Sequence, residues 1–395
     1  MPIVPRDAAR KLASYLKTFP VVLVVGPRQS GKTTLLKTTL PSWKRFDLDR
    51  AADYDAVAFD PDSFLRANPR RIAVDEAQRL PRLFPALRAA VDDDRQPGRY
   101  VLTGSSSPEL VRGASESLAG RIGILELTPF GAGELSSRPA LLRERWFWGG
   151  YPALYGLKSE RQKRDWIEAY LATFVERDIP SLGIRIQPVR LRKFLAMIAH
   201  VHGGILNVMD LARSMELSQH TVEHYLDVLE GAFIIRRLRP YFVNIGKRLV
   251  KSPKLYIRDS GLFHYLSGLR SRAELDSFPR RGASWEGLVI EEIARRAALD
   301  HSRPGVYYWR THVGNEADLV LETGLKKSVF EIKLGEGVET RTLASLKACL
   351  RDLRTDRGFV VYGGQRLIHA GGGITLIPWR ELLRQGRTEN SGTQY

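Results

Sequence analysis

The sequence predicts an α/β protein of more than one domain. A parallel sheet with flanking helices comes first, then a unit of helices and a hairpin, then a second α/β unit. The apolar residues 21–25 stop at Gly26-Pro27-Arg28-Gln29-Ser30-Gly31-Lys32-Thr33 and give way to a helical pattern, a strand–loop–helix. Short apolar strands then alternate with helical stretches such as residues 81–92, the order of a parallel sheet. After residue 284 an amphipathic helix precedes three strands, a helix and two further strands. With 395 residues the chain is long enough for two or three cores.

The octapeptide at 26–33 fits G-x-x-x-x-G-K-[ST], the phosphate-binding loop, and Thr34 continues the helix that follows. Its glycines let backbone N–H groups close around phosphate oxygens, and the helix N-terminus adds partial positive charge. Lys32 is expected to reach the β- and γ-phosphates of ATP, and the Thr33 hydroxyl to coordinate Mg²⁺. Residues 71–76 form an apolar strand ending in Asp75 and Glu76. Asp75 is placed to hold the Mg²⁺ shell and Glu76 to polarise the attacking water. Residues 99–105 form another strand, whose Ser105, or alternatively Thr103, is a candidate sensor of the γ-phosphate. Arg121, before the strand at 122–127, is a candidate finger reaching a neighbouring subunit's nucleotide, which would imply a homo-oligomer. A surface or intradomain ion pair is the alternative for that arginine.

Several short motifs together extend this reading over nearly the whole chain: VLVVGPRQSGKTTLL at 22–36, AVDEAQRL at 73–80, LTGSS at 102–106 and LAGR at 118–121. GGYP at 149–152, VERDI at 175–179 and SPKLYIRDSGL at 252–262 follow. With them the chain resembles the bacterial and archaeal AAA-type P-loop ATPases whose C-terminal half is a domain of unknown function. The resemblance implies ATP binding and hydrolysis and leaves the role of the second half to its residues.

The composition bears on that role. Against 44 Asp and Glu stand 61 Lys and Arg, a net charge of +17 and a pI near 10.0. A chain this basic is expected to meet a polyanion, nucleic acid first. The lone Cys349 excludes an intramolecular disulfide and a cysteine-based metal cluster and suits a reducing cytoplasm. No apolar run is long enough to span a bilayer, and residues 1–6 carry no signal-peptide hydrophobic region. The expectation is a cytoplasmic protein with no membrane partner.

Residues 206–217 read as a helix with Val208, Leu211, Ala212 and Met215 on one face. Ser218 caps a second helix at 221–231, with Val222, Tyr225, Leu226 and Leu229 inward. A strand at 232–240 and a hairpin at 244–256 would complete a winged helix, with Gln219, His220 and Glu223 facing a DNA groove. Between 235 and 260 eight Lys and Arg face one acid, Asp259. Lys247, Arg248, Lys251 and Lys254 would contact DNA phosphates, giving affinity with little sequence readout. The alternative is a winged helix that only packs between domains.

In the last unit, helix 284–299 carries Glu286, Glu291 and Glu292. Strands are expected at 306–310, 317–322, 328–334, 359–362 and 374–378, with a helix at 341–353. This order, with Asp318 on the second strand and Glu331-Ile332-Lys333 on the third, resembles the PD-(D/E)xK nuclease core. Alternation puts Glu331 and Lys333 on one face. Asp318 lies across the hairpin, and Glu286 would be the fourth member, with Glu291 as alternate. Such a site would hold Mg²⁺; plain strand charges, or a nuclease fold that no longer cuts, are the alternatives. Tyr307, Tyr308 and Trp309 are core strand residues or, alternatively, stack on unpaired bases.

The expected plan is therefore a P-loop ATPase domain at 1–145, a helical lid or linker at 146–200, a winged helix at 201–270 and a nuclease-like domain at 271–384. A disordered tail would follow at 385–395. The function expected is an ATP-hydrolysing, DNA-binding protein in which nucleotide state drives or gates DNA engagement, at branched DNA or DNA ends. The rivals are an ATP-regulated, Mg²⁺-dependent DNA nuclease and an ATP-dependent switch acting on a protein partner.

Overall fold

Val21–Gly26 (β1) is buried at all six positions, as its unbroken apolar run requires of a strand covered on both faces. It belongs to a five-stranded sheet with Lys44–Asp47 (β2), Ile72–Asp75 (β3), Tyr100–Ser105 (β4) and Ile122–Glu126 (β5), in the order β2-β3-β4-β1-β5. Every neighbouring pair is parallel. The computed structural model describes residues 3–105, 113–114, 116–135, 139–181, 186–241, 251–301, 304–312 and 314–384. Lys247, Arg248, the tail at 385–395 and the side chain of Ser105 lie outside the described residues.

The chain divides into two units. One comprises Met1–Phe130, Tyr151–Gly156 and Asp227–Ile234; the other comprises Gly131–Gly150, Leu157–Leu226 and Ile235–Tyr395. The first holds the parallel sheet and a core of Val21, Leu23, Ile72, Val74, Leu87, Leu102 and their neighbours. Parallel order brings the C-terminal ends of β1, β3 and β4 to one edge, where ligands of such sheets bind. Gly26 ends β1 there, because a Cβ would meet the Leu127 carbonyl oxygen at 2.2 Å.

The second unit holds a nine-stranded sheet. Its strands are Gly204–Ile205 (β6), Ile235–Pro240 (β7), Lys254–Ile257 (β8), Gly305–Arg310 (β9), Glu316–Thr323 (β10) and Lys326–Ile332 (β11). Gly358–Tyr362 (β12), Ile368–Gly371 (β13) and Ile374–Pro378 (β14) complete it. The order is β13-β14-β12-β11-β10-β9-β7-β8-β6. The strands β9, β10 and β11 form an antiparallel meander, and β12 joins β11 in parallel after the helix Thr340–Leu353. The helix Arg281–Asp300 packs Trp285, Leu288, Val289 and Ile293 against Leu319, Phe330 and Val361. The helix Thr340–Leu353 sets Leu346, Cys349, Leu350 and Leu353 against Val320, Val329 and Val360. Tyr308 and Trp309 are 0% and 1% exposed, so neither can stack on a base.

Helices Val208–Met215 and Gln219–Gly231 form with the expected faces. Asn207 caps the first, the Ser218 hydroxyl accepts from Thr221 N at 3.0 Å, and Gln219, His220 and Glu223 are exposed. Two features depart from the expected plan. β7 pairs antiparallel with β8 but also parallel with β9, through Arg239–Tyr307 and Pro240–Tyr308. The strands expected as a separate wing therefore continue the sheet of the last unit. In addition Lys254, expected to contact phosphates from an exposed wing, is only 4% exposed. It sits on β8 between β7 and β6, all four of whose residues are buried.

The glycines of the 149–152 motif serve packing. The Asp259 carboxylate caps the helix Ser260–Leu266 by accepting from Gly261 N and Leu262 N, and it also accepts from Gly150 N at 2.8 Å. A Cβ on Gly149, at φ 80°, would lie 2.0 Å from Asp259 Oδ1. Among the described residues no helix is long and apolar enough to cross a membrane.

Candidate active site

The turn from β1 into helix Lys32–Thr39 sets Gly31 at the N-cap with φ 97°, and Gln29 also lies in the left-handed region at φ 59°. Pro27 is buried, Arg28 half-buried and Gln29 exposed, while Thr33 and Thr34 are exposed on the first helical turn. Lys32 is 6% exposed and its ammonium donates to the carbonyls of Gly26 (3.0 Å) and Pro27 (3.1 Å). Burial depresses its pKa foremost; Glu76 and Asp75 act against that, and Arg28 acts with it. The Ser30 hydroxyl is fully buried and has no hydrogen-bond partner among the described residues.

Asp75, at the end of β3, collects the loop's hydroxyls. Thr33 Oγ1 donates to Asp75 Oδ2 at 2.5 Å, and Thr103 Oγ1 on β4 donates to Asp75 Oδ1. Ser105 pairs in register with Gly26, which brings the end of β4 beside the loop. Glu76 adopts φ 56°, a conformation costing a non-glycine residue roughly 1–2 kcal/mol. Gln78 Nε2 donates to the Glu76 carboxylate. Two side chains in strained backbone, Gln29 and Glu76, thus flank the same sheet edge.

Arg6 also belongs to this site. Its guanidinium donates to Ser30 O (2.7 Å) and Thr128 O (2.5 Å) and lies 5.0 Å over the Phe130 ring. It ties the segment before the first helix to the phosphate-binding loop and to the exit of β5. Arg121 donates to both carboxylate oxygens of Asp92, at 2.8 and 2.9 Å, within its own domain.

These residues fit a nucleotide with Mg²⁺. The buried Ser30 hydroxyl has no partner among the described residues, and Thr33 and Asp75 converge as a hydroxyl–carboxylate pair suited to a hard cation. Lys32, Thr33 and the N–H groups at the helix start would hold the phosphates, with Asp75 in the metal shell.

A second cluster lies in the other unit. The register Leu319–Phe330 sets Asp318 and Glu331 on adjacent strands, and Lys333 Nζ donates to Glu331 Oε1 at 2.8 Å. Glu286, from helix Arg281–Asp300, joins them through Lys254, the lysine expected on an exposed wing. Lys254 Nζ lies 3.1 Å from Glu286 Oε1 and 3.7 Å from Asp318 Oδ1, and also pairs with Glu316. Tyr256 donates its hydroxyl to Glu286, and Ile332 N donates to Asp318 Oδ2 at 2.8 Å. Burial, then Glu286 and Glu331, push the Asp318 pKa well above the usual carboxylate range, and burial also raises Glu331. Burial opposes the charge of Lys254, but Glu286, Tyr256, Asp318 and Glu316 outweigh it and hold its pKa well above the ordinary value. Glu291, the alternate fourth member, is instead clamped by Arg236 and Arg258. Among the described residues no group of three or more His, Cys, Asp or Glu is placed to hold a metal ion. As it stands, this cluster does not fit Mg²⁺.

Residues 18–136 match the family described as AAA domain. Residues 139–273 and 281–382 match two families described as domains of unknown function, DUF8612 and DUF4143. An uncharacterized protein of Mycobacterium tuberculosis is 40% identical over 387 residues, 97% of this chain and 86% of its own length. One from Haemophilus influenzae is 23% identical over 235 residues, 54% of each chain. Among solved structures, the Walker-type ATPase PABY2304 of Pyrococcus abyssi aligns at a TM-score of 0.45 and 15% identity, over 67% of this chain and 96% of that one.

Proposed function

This chain belongs to the AAA-domain P-loop ATPase family that includes the mycobacterial protein, and from that premise we propose that it hydrolyses ATP and that nucleotide state governs its hold on DNA. The observation that carries the hydrolytic part is the chain of contacts Thr33–Asp75–Thr103 beside the buried Lys32. Lys32 would exchange its carbonyl partners for phosphate oxygens, so that its ammonium faces anionic charge in place of carbonyl dipoles. Thr33 and Asp75 would hold Mg²⁺, whose charge would offset that of the phosphates. Glu76, its carboxylate held by Gln78, would orient the water and take its proton as the new bond to the γ-phosphorus forms and the bridging bond to ADP breaks.

The test is nucleotide binding and turnover. Lys32→Ala is expected to lose ATP binding. Glu76→Gln is expected to bind ATP normally and to turn it over about 100-fold or more slowly. Normal turnover in the Glu76 variant would contradict its role.

Charge distribution supports DNA as the polyanion. Residues 1–130 hold 20 Lys and Arg against 15 acids, and residues 131–395 hold 41 against 29, so most of the surplus follows the nucleotide-binding region. With Lys254 buried, the phosphate contacts fall to the exposed Lys251 and to one face of helix Thr340–Leu353. There Lys347 and Arg351, one helical turn apart, and Arg354, the C-cap at φ 52°, line one open cavity. Reversing all three to glutamate is expected to weaken DNA binding and to lower the slope of log affinity against log salt by about 0.9 for each phosphate no longer neutralised. An unchanged slope would remove this face from the interface.

A further inference from the structure

We propose that Lys254 is the resident cation of the acidic cluster formed by Glu286, Glu316, Asp318 and Glu331, filling the seat a divalent metal would need, so that this nuclease-like site neither takes up Mg²⁺ nor cuts DNA. Three features carry it. The ammonium contacts three of the four carboxylates, Glu286 at 3.1 Å, Asp318 at 3.7 Å and Glu316 directly. Its side chain is 5% exposed, so these carboxylates replace water as its solvation. It also lies 5.7 Å from the centroid of the buried Tyr308 ring, a second favourable environment for a cation.

The oxygens around it are largely committed. Asp318 Oδ2 accepts from Ile332 N, Glu286 accepts from Tyr256, and Glu331 Oε1 accepts from Lys333. Within the cluster, Glu331 Oε2 is the oxygen buried without a hydrogen bond among the described residues. Mg²⁺ keeps several waters and needs one or two carboxylates in its shell, and here Glu286, Glu316 and Asp318 already face the ammonium of Lys254. An ammonium seated among these carboxylates competes with a divalent ion for the same negative charge. Lys254 comes from β8, outside the α-β-β-β-α-β run, so a search of that run for an acid-and-lysine pattern does not find it. The consequence for DNA is electrostatic. Four carboxylates left bare would repel a phosphodiester, whereas Lys254 and Lys333 cancel much of that charge.

The experiment is Mn²⁺ binding to full-length, nucleotide-free protein, read by electron paramagnetic resonance. An Asp75→Asn background removes the carboxylate a metal would use at the phosphate-binding loop. With Lys254 present no saturable site is expected. Lys254→Met, of similar shape and uncharged, is expected to gain one site per chain and to lose it again when Asp318→Asn is added. A site present with Lys254 intact and abolished by Asp318→Asn would overturn the proposal. So would a folded Lys254→Met protein that gains none. Because removing a buried charge can prevent folding, lysine acetylation of the unaltered protein, followed by mass spectrometry, gives a second readout. Lys254 is expected to react far more slowly than the exposed Lys251, at a rate Mn²⁺ does not change. Faster acetylation of Lys254 on adding Mn²⁺ would show the metal displacing it and would also overturn the proposal.

Discussion

Lys32, Thr33 and Asp75 act at short range along a loop and at the ends of adjacent strands, which is why the sequence displays them. A fixed spacing after an apolar strand is local information, and the fold had only to place β1 near β3. Arg6 carries no such signal. It reaches Ser30 across 24 positions and Thr128 across 122, and nothing near residue 6 announces either contact. Its removal frees two loop carbonyls from a charged donor, a change of roughly 1.5–3 kcal/mol for hydrogen bonds to a charged group. Arg6→Ala is accordingly expected to raise the Kd for ATP about 10-fold or more while Arg6→Lys recovers part of the loss, measured by fluorescent nucleotide titration. Equal affinity in all three proteins would make Arg6 a bystander. Lys254 was legible as a basic residue and illegible as a buried one, because its carboxylate partners lie 32, 62 and 64 positions away.

At the scale of elements, periodicity located the helices of the middle segment and the meander of β9–β11. Each shows a clear alternation or 3.6-residue pattern over its own length. What periodicity could not show was that β7 pairs on both sides, with β8 and with β9. Strand pairing is a long-range choice, and β7 reads as well for a two-stranded wing as for a sheet interior. The 149–150 glycines and Asp259 lie in two of the short motifs and meet at the cap on helix Ser260–Leu266. The same region holds two buried histidines. His264 contacts Phe147 O at 2.9 Å and Ser284 Oγ at 2.6 Å, and His202 contacts Ile257 N at 3.0 Å and Ala283 O at 3.1 Å. Burial lowers His202 to about 3 and His264 to about 4, from an ordinary 6.5. Both folded values lie below the unfolded one, so below pH 6.5 the unfolded chain takes up protons that the native state refuses. Stability is complete above that pH and falls as the pH drops toward 4, by up to ~1.4 kcal/mol per histidine for each pH unit. Urea midpoints at pH 7 and pH 5 are expected to differ less in His264→Gln than in the unaltered protein. The difference between the two proteins isolates the histidine from Glu291, which Arg236 and Arg258, overcoming the effect of burial, hold down to about 2 and which loses stability in the same direction.

For the whole molecule, the AAA-domain family, the parallel sheet and the placement of Lys32, Thr33, Asp75 and Glu76 at one sheet edge support an ATPase. The basic surplus of residues 131–395 supports a polyanion as the object of its work. Arg121 is engaged with Asp92, so any role across a subunit boundary would require that pair to open. In the proposed function the two halves are joined: a nucleotide at the phosphate-binding loop would change how tightly the chain holds DNA. A coupling of this kind is a ratio of affinities, and a 10-fold ratio corresponds to about 1.4 kcal/mol. The direct measurement is the Kd for a fluorescent branched DNA at one fixed salt concentration, using Glu76→Gln saturated with ATP and, separately, with ADP. Kd values about 10-fold or more apart are expected, with the difference absent in Lys32→Ala. The same Kd in both nucleotide states, or no binding to DNA at all, would contradict this coupling.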